Sequence, residues 1–431
     1  QKEELVASLH KTFSETNLVV VTQQSGMTVA EASDLRRKML DAGASYKVTK
    51  NRLTRLALEG TKFEALKELF TGPTAIAVSE DPVAAAKVAV TFAKANEKLI
   101  IVGGAMGETQ LDPDAIKALQ RVYVGDMSKI PEGKVKYSAM CNEDGCIIDD
   151  GVVVKRGENE YYFTTSTGRA GSTVEWFRYH TRYDGWNYHM VNLTDALGVI
   201  NLAGPNARNV LEQLVDGDIS NEAFPYAGYR EFIIKKTIPV RMMRLGFVGE
   251  LSYELHVPAS YMQSLWELVA QAGKQFDIQN FGLEAQNVLR MEKGHIIIGS
   301  ESEQRTTLHD VGLGFLWHRN KPDAKTVGAV ALKQTEKQEG RFKLVGVKME
   351  NFSRTPKDGS LIVDSVIRGY VCIARSSFGL KESVGLALVD SSLAKEGTRL
   401  QIYEDECEGR HLYATVASLP FYDPEGKRLR M

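Results

Sequence analysis

Two adjacent carboxylates, Asp149 and Asp150, follow an apolar pair and precede a run of valines. This pattern is typical of a β-strand, on which neighbouring side chains point to opposite faces. One carboxylate can then be solvated while the other points inward, where it needs a partner and can act as an acid or base or hold a ligand nitrogen. An ordinary turn at the end of a strand explains the same residues, and both interpretations stay open here.

Two later segments combine glycines with charged or aromatic residues. In Gly246–Leu255 two glycines bracket a tight turn, and Tyr253 and Glu254 begin a strand. In Val288–His295 the basic residues Arg290 and Lys293 share one helix face, and a glycine follows as a stop. Neither segment alone indicates a function.

Basic residues are concentrated in one part of the first 120 residues. Residues 36–55 contain seven basic side chains and one acidic side chain, whereas the rest of residues 1–120 has eight basic and fourteen acidic. A helix that begins near Asn51 would place free backbone N–H groups beside arginine guanidinium groups. Such a surface binds phosphate well. A solvated charged face is the alternative. The residues in question are Arg36, Arg37, Lys38, Lys47, Lys50, Asn51, Arg52 and Arg55.

Length and composition exclude several classes of protein. The chain has 431 residues and a formal net charge of −2, which suggests several domains and argues against a globally basic nucleic-acid coat. No apolar run approaches the ~20 residues of a membrane span, so we expect no membrane association. Four cysteines do not make a disulfide scaffold, and reduced cysteines indicate a cytoplasmic location. The eight histidines lack metal-ligand spacing, so no metal site is predicted, and no flavin or dinucleotide fingerprint is found.

The pattern of elements divides the chain into unlike parts. Residues 1–120 alternate helices and strands, which predicts a compact α/β domain. Within this domain, Thr28 and Glu31 are typical of the beginning of a helix, and Gly43 is typical of its end. From residue 121 short alternating strands dominate, and residues 336–431 are strand-rich with regular turns, which predicts a small closed barrel.

Residues 1–120 resemble the N-terminal domain of the bacterial large-subunit ribosomal protein L-ten family. The resemblance implies binding to large-subunit ribosomal RNA, with Lys50, Asn51 and Arg52 in the basic surface. The family's linker and long stalk-docking helix have no counterpart here. The matching segments are Ser25–Val29, Asp34–Arg36, Tyr46–Leu53, Glu59–Thr61, Phe70–Ala75 and Gly104–Leu111.

Residues 121–431 resemble the glycine-cleavage T-protein family, the tetrahydrofolate-dependent aminomethyltransferases, and most closely the folate modules of sarcosine oxidase α subunits and dimethylglycine dehydrogenases. The resemblance implies an α+β multidomain chain, with a small α/β domain at residues 1–120, a folate-binding region at 121–335 and a C-terminal β-barrel at 336–431. The matching segments are Gly246–Leu255, Val288–His295, Ala203–Arg208, Val311–Gly314, Lys343–Val347, Val384–Val389 and Leu419–Tyr422.

This second resemblance implies roles for single residues. Asp150 matches the family's folate-contacting aspartate and is the predicted catalytic residue. Glu254 matches the glutamate that bonds the pterin ring, and Tyr137 matches an aromatic wall residue. The other predicted folate-binding residues are Phe247 in place of a tyrosine, Thr165 in place of an asparagine, Gln286 in place of an arginine that could pair with the folate tail, and Arg290, whose role in supporting the fold is the stronger expectation.

The chain departs from the T-protein pattern at its start. The opening part of that pattern, with its Gly-Trp loop, is replaced by the ribosomal-type domain, so the folate-binding ring is predicted to be incomplete. We expect transfer of a one-carbon unit to tetrahydrofolate from an amine or imine donor, which a flavoprotein subunit could deliver. A ribosomal RNA-binding stalk-base protein, or a chimeric chain without an active folate site, remains the alternative.

Overall fold

The computed structural model describes residues 2–24, 26–79, 81, 84–96, 98–106, 109–111, 114–157, 159–321, 325–352, 354–404 and 410–431. The chain divides into two compact units, residues 1–114 and 115–431. The boundary predicted after residue 120 falls inside helix α5 (Asp114–Val122). Because Leu119 and Val122 of this helix belong to one apolar cluster with Tyr123 and Phe177, the division lies at the start of the helix.

The first unit is one antiparallel sheet with helices on both faces. The sheet order is β2-β3-β1-β4-β5. The central strand β1 sends Val19 and Val21 into one apolar core and Leu18 and Val20 into the other, so β1 is buried on both faces. The elements are α1 (Lys2–Glu15), β1 (Leu18–Gln24), α2 (Val29–Asp41), β2 (Ala44–Val48), α3 (Asn51–Ala57), β3 (Thr74–Ser79), α4 (Ala84–Ala95), β4 (Leu99–Met106) and β5 (Thr109–Leu111).

The predicted start of α2 is confirmed. The Thr28 hydroxyl accepts from the Glu31 amide at 3.3 Å, and the Glu31 carboxylate accepts from the Thr28 amide at 2.7 Å, which is a complete capping box. Between α3 and β3, residues Glu64–Leu69 form a 3₁₀ helix. Ser25 and residues 107–108 of the segments that resemble the ribosomal protein lie outside the described residues.

The second unit contains two sheets before its barrel. Three strands form the sheet β6-β7-β8, and four form the sheet β10-β11-β12-β9, all pairs being antiparallel. The elements are β6 (Val135–Cys141), β7 (Ile147–Lys155), β8 (Tyr161–Phe163), α6 (Ala170–Thr181), β9 (Leu197–Ala203), α7 (Ala207–Leu211), β10 (Tyr229–Ile234), β11 (Ile238–Met243), β12 (Ser252–Pro258), α8 (Met262–Gly273), α9 (Leu283–Glu292) and α10 (Ala329–Thr335).

Alternation along β12 separates a core face from a polar face. Tyr253 and Leu255 belong to the largest apolar cluster, together with Leu265 of α8. Glu254 and His256 therefore point to the other face of the four-stranded sheet. This arrangement leaves a row of polar side chains on a face that α8 does not cover.

The predicted C-terminal barrel is confirmed. Six strands close in the order β13-β16-β15-β14-β17-β18. Val345, Val371 and Ala387 belong to the apolar core of the barrel. Its strands are β13 (Phe342–Met349), β14 (Leu361–Asp364), β15 (Val366–Ser377), β16 (Glu382–Asp390), β17 (Arg399–Tyr403) and β18 (His411–Ala417).

Two further properties concern the described residues only. Cys141, Cys146 and Cys372 are free thiols, whereas Cys407 lies outside the described part of the chain. Among the helices of the described ranges, none combines the length and the apolar character needed to cross a lipid bilayer.

Candidate functional site

The paired carboxylates lie on β7 and point to opposite faces, as the alternation predicts. Asp149 is 2% exposed. Asp150 is half-buried and pairs with Ala139 of β6, and its Oδ2 accepts a hydrogen bond of 2.6 Å from the Tyr137 hydroxyl. Neither carboxylate is fully solvated. The structure therefore brings together two of the predicted site residues, Tyr137 and Asp150.

The environment of Asp150 changes its acidity. Burial raises the pKa of Asp150 to about 6; the hydrogen bond from Tyr137 opposes this shift, and the nearby charge of Asp149 adds to it. Burial also raises the pKa of Tyr137 above its usual range, so its hydroxyl remains a hydrogen-bond donor. A carboxylate with a pKa just below neutrality can accept and return a proton near physiological pH.

Glu254 lies in a hydrogen-bonded chain that joins the two sheets. His256 Nε2 is 3.3 Å from the Glu254 carboxylate, and His256 Nδ1 is 2.8 Å from the hydroxyl of Tyr162 on β8. Glu254 also lies opposite Asn201 of β9, whose amide donates to the Ser252 hydroxyl at 3.2 Å. The chain thus fixes one oxygen of Glu254, and the other makes no hydrogen bond within the described residues.

The face of β7 that bears Asp150 is turned toward this polar face. Val152 and Val154 share a face with Asp150, and Val154 is paired with Tyr162. Val152 and Tyr162 in turn pack against Tyr229 and Met243 of the four-stranded sheet. Asp150 and Glu254 are therefore on faces of two sheets that meet through these apolar side chains.

The remaining predicted folate-binding residues make contacts of their own. The Phe247 ring stacks on the His295 ring with a centroid distance of 5.7 Å, and the Phe247 carbonyl accepts a hydrogen bond from His295 Nδ1 at 2.7 Å. The Thr165 hydroxyl donates to the Ser166 carbonyl at 3.1 Å. Gln286 of α9 lines a groove of about 690 Å³ along β9, which Asn201 also lines.

Arg290 requires a correction as a ligand-binding residue. Its side chain is 1% exposed, lies 2.7 Å from the buried Glu301 carboxylate and donates to the His295 carbonyl at 3.1 Å. A buried, paired guanidinium has no surface to offer a ligand. These contacts favour the fold-supporting role that was the stronger expectation for Arg290.

Sequence reasoning missed His256 and Tyr162. The available signal was spacing: His256 follows Glu254 by two residues on a strand and must share its face. The partner Tyr162 could not be found in this way, because it comes from the other sheet.

The basic residues of the first unit divide into engaged and free side chains. The Arg37 guanidinium bonds Asp34 at 2.7 Å, Arg55 donates to the Phe70 carbonyl at 2.7 Å, and Asn51 donates to the Gly72 carbonyl at 2.8 Å. Among the basic residues between positions 36 and 55, four exposed side chains form no hydrogen bond or ion pair within the described residues: Arg36, Lys47, Lys50 and Arg52.

Within the part of the chain that the structure describes, no cluster of three or more histidine, cysteine, aspartate or glutamate side chains could hold a metal ion.

The fold is that of a glycine-cleavage aminomethyltransferase over most of the chain. The crystal structure of aminomethyltransferase T from Bartonella henselae superposes with a TM-score of 0.64 at 22% sequence identity, covering 73% of this chain and 82% of that one. The profile of the GCVT N-terminal domain matches residues 102–321, and that of the glycine cleavage T-protein C-terminal barrel domain matches residues 343–423. The profile of ribosomal protein L10 matches residues 1–94.

Curated relatives agree with both matches. An aminomethyltransferase from Shouchella clausii is 31% identical over 319 residues, which cover 74% of this chain and 84% of that protein. The large ribosomal subunit protein uL10 of Paramagnetospirillum magneticum is 63% identical over 119 residues, which cover 28% of this chain and 70% of that protein. The sarcosine oxidase subunit alpha of Corynebacterium sp. (strain P-1) is 29% identical over 328 residues, which cover 73% of this chain, and the chain spans only a third of that subunit.

These matches define the class as an aminomethyltransferase-like region fused to a ribosomal-type domain. The chain belongs to the glycine-cleavage T-protein family, and its first part belongs to the ribosomal protein L10 family.

Proposed function

We propose that residues 115–431 bind tetrahydrofolate and transfer to it a one-carbon unit from an amine or imine. The observation that carries the proposal is the hydrogen-bonded pair of Tyr137 and Asp150, whose pKa is raised to about 6, on a face turned toward Glu254. Membership of the family supports an aminomethyltransferase-like region in general, and these residues support tetrahydrofolate as its ligand.

The described residues fit a pterin. Asp150 and Glu254 each have one carboxylate oxygen that makes no hydrogen bond within the described residues, and a pterin ring carries N–H groups that can donate to such oxygens. The groove along β9 adds the amides of Asn201 and Gln286 as uncharged partners for the rest of the molecule. Tyr137 is 36% exposed and offers an aromatic surface beside Asp150.

Each residue then has a definite task in the proposed transfer. Bound tetrahydrofolate supplies the nitrogen that takes up the one-carbon unit. Asp150 orients that nitrogen and holds or releases a proton at its Oδ1 or Oδ2, while the Tyr137 hydroxyl keeps the carboxylate in place. Glu254, held by His256, fixes the orientation of the ring. The donor is a small amine or imine; its bond between carbon and nitrogen breaks, and the nitrogen takes up a proton and leaves as a free amine. The similarity to a sarcosine oxidase subunit suggests delivery of this donor by a flavoprotein partner.

Calorimetric titration of the intact chain with tetrahydrofolate tests the proposal. We expect saturable binding that Glu254→Gln weakens at least about tenfold, because a buried bond to a charged group contributes ~1.5–3 kcal/mol. Asp364→Asn changes an exposed carboxylate of the barrel in the same way and is expected to leave binding unchanged. Absence of saturable binding in the intact chain contradicts the proposal and favours a chimeric chain without an active folate site.

A second candidate function belongs to the first unit. We infer that it binds large-subunit ribosomal RNA, and the supporting observation is the set of four exposed, unpaired cations, which includes Lys50 and Arg52. Binding by the intact chain should weaken steeply as the salt concentration rises, because bound cations release counterions from phosphates. RNA binding that is undetectable or insensitive to salt would remove this function.

A further inference from the structure

A pocket of about 290 Å³ lies on the face of β7 opposite to Asp150. It is formed between α6 and the turn that joins β6 to β7, and Ile148, Asp149 and Trp176 line it. It adjoins a larger cavity of about 870 Å³ that shares Ile148 and Arg169. The T-protein resemblance assigns no function to this pocket.

Asp149 brings an unsatisfied acceptor to the pocket. Its side chain is 98% buried, and its Oδ2 accepts from the Ser166 amide at 3.2 Å, whereas its Oδ1 is buried without a partner in the described part of the chain. Burial raises the pKa of Asp149, and hydrogen bonds from Ser166 offset only part of this shift. A buried carboxylate oxygen without a donor is costly, so a ligand that supplies one gains affinity.

Two other residues that line the same pocket carry hydrogen-bond donors without a partner among the described residues. The indole Nε1 of Trp176 is buried and has no hydrogen-bond partner among the described residues. The exposed Arg169 guanidinium makes no hydrogen bond or ion pair in the described ranges, and it is close enough to lower the pKa of Asp149. The pocket thus combines a buried acceptor that has no partner among the described residues with donors that suit an anionic oxygen.

We propose that this pocket binds a small molecule that carries both an ammonium and a carboxylate group, of the size of a simple amino acid. The ammonium donates to Asp149 Oδ1. The carboxylate accepts from the Arg169 guanidinium and the Trp176 indole, with Ile148 as an apolar wall. This site goes beyond the proposed function, because it lies on the opposite face of the strand from Asp150 and does not require folate.

Titration of the intact chain with glycine and with alanine, followed by calorimetry, tests the ligand class. We expect saturable binding of at least one of them. N-acetylglycine lacks the ammonium and glycinamide lacks the carboxylate, so each should bind at least about tenfold more weakly, the loss expected for one charge-assisted hydrogen bond. No saturable binding of either amino acid, or binding of N-acetylglycine and glycinamide as tight as that of glycine, overturns the proposal.

Substitutions locate the site. Arg169→Gln should weaken amino-acid binding at least tenfold while the thermal unfolding midpoint changes little, because this side chain is exposed and makes no hydrogen bond or ion pair within the described residues. Asp149→Asn should abolish amino-acid binding, provided that this variant folds. If Asp149→Asn does not fold, the result for Arg169→Gln decides the test. Asp216→Asn, at an exposed carboxylate away from the pocket lining, is the matched control. Unchanged binding in Arg169→Gln places the amino acid elsewhere and refutes the site.

Discussion

The Tyr137 hydroxyl and the charge of Asp149 act in opposite directions on the pKa of Asp150. Burial dominates both and raises that pKa to about 6, so Asp150 is ionised at neutral pH and becomes protonated at mildly acidic pH. Single side chains thus decide whether the proposed site carries a base, and two substitutions test this explanation of the pKa of Asp150.

Tyr137→Phe removes the hydrogen bond that favours the ionised carboxylate. The pKa of Asp150 should therefore rise above about 6, because the donor at 2.6 Å is lost while the burial remains. Carbon-13 NMR titration of the aspartate carboxyl groups measures this, with Tyr183→Phe, at an exposed ring, as the control. A pKa that stays the same or falls would show that the Tyr137 hydroxyl does not act on Asp150.

Asp150→Asn should stabilise the second unit in a manner that depends on pH. Because the pKa of Asp150 is raised from 3.8 to about 6, the folded state binds more protons than the unfolded state between these values. The free energy of unfolding of the unsubstituted chain should fall as the pH rises through this window. At pH 7 the variant should be more stable by ~1–2 kcal/mol, after allowance for partial solvent screening.

Urea unfolding followed by tryptophan fluorescence checks this difference. All four tryptophans lie beyond residue 121, so their emission reports on the second unit. The stability difference between the two proteins should shrink toward pH 4. A stability difference that does not change with pH, or an Asp150→Asn variant that is less stable than the unsubstituted chain at pH 7, would contradict the raised pKa of Asp150.

Strand β7 carries both carboxylates, and its backbone lies close to the backbone of the segment that contains Thr164. A Cβ atom at Gly151 would lie 2.0 Å from the Thr164 carbonyl oxygen, so only glycine allows the approach of the two segments. Thr164 also donates its amide to the Val152 carbonyl at 2.9 Å. The geometry of the site thus depends on this contact.

Gly151→Ala should destabilise the second unit by ~1–3 kcal/mol, because the backbone of Thr164 must move. Gly168→Ala is the matched control, since a Cβ there meets nothing within 4 Å. Thermal unfolding of the two variants gives the comparison. Equal stability of both would mean that β7 tolerates the displacement, and the contact would not hold the site in place.

Local patterns predicted those elements whose residues are close in sequence. The Thr28–Glu31 cap, the alternation of Asp149 and Asp150 and the strand-rich end of the chain all follow from spacing and side-chain type. The pairing of Tyr162 with His256, by contrast, depends on how two sheets meet, and no local pattern contains that information. The groove along β9 was missed for the same reason.

At the scale of the whole molecule, the chain combines two units with separate apolar cores. The proposed RNA surface lies in residues 36–55, and the proposed folate site lies beyond residue 121. Since no predicted site residue is shared, the two activities should respond independently to substitution.

Arg52→Glu should weaken binding of large-subunit ribosomal RNA several-fold and lower the salt dependence of binding by about one unit of slope. Tetrahydrofolate binding by the same variant should not change. Lys395→Glu, an exposed cation of the barrel unit, is the control for charge alone. Filter binding across a salt series and calorimetry give both quantities, and an equal RNA-binding loss in Lys395→Glu would indicate a non-specific charge effect.

The most direct measurement is a crystal structure of the intact chain with tetrahydrofolate bound. The account predicts the pterin ring between the two sheets, with its N–H groups on the Asp150 and Glu254 carboxylates and one edge against Tyr137. Folate seated elsewhere, with Asp150 still bonded to Tyr137 alone, would contradict it.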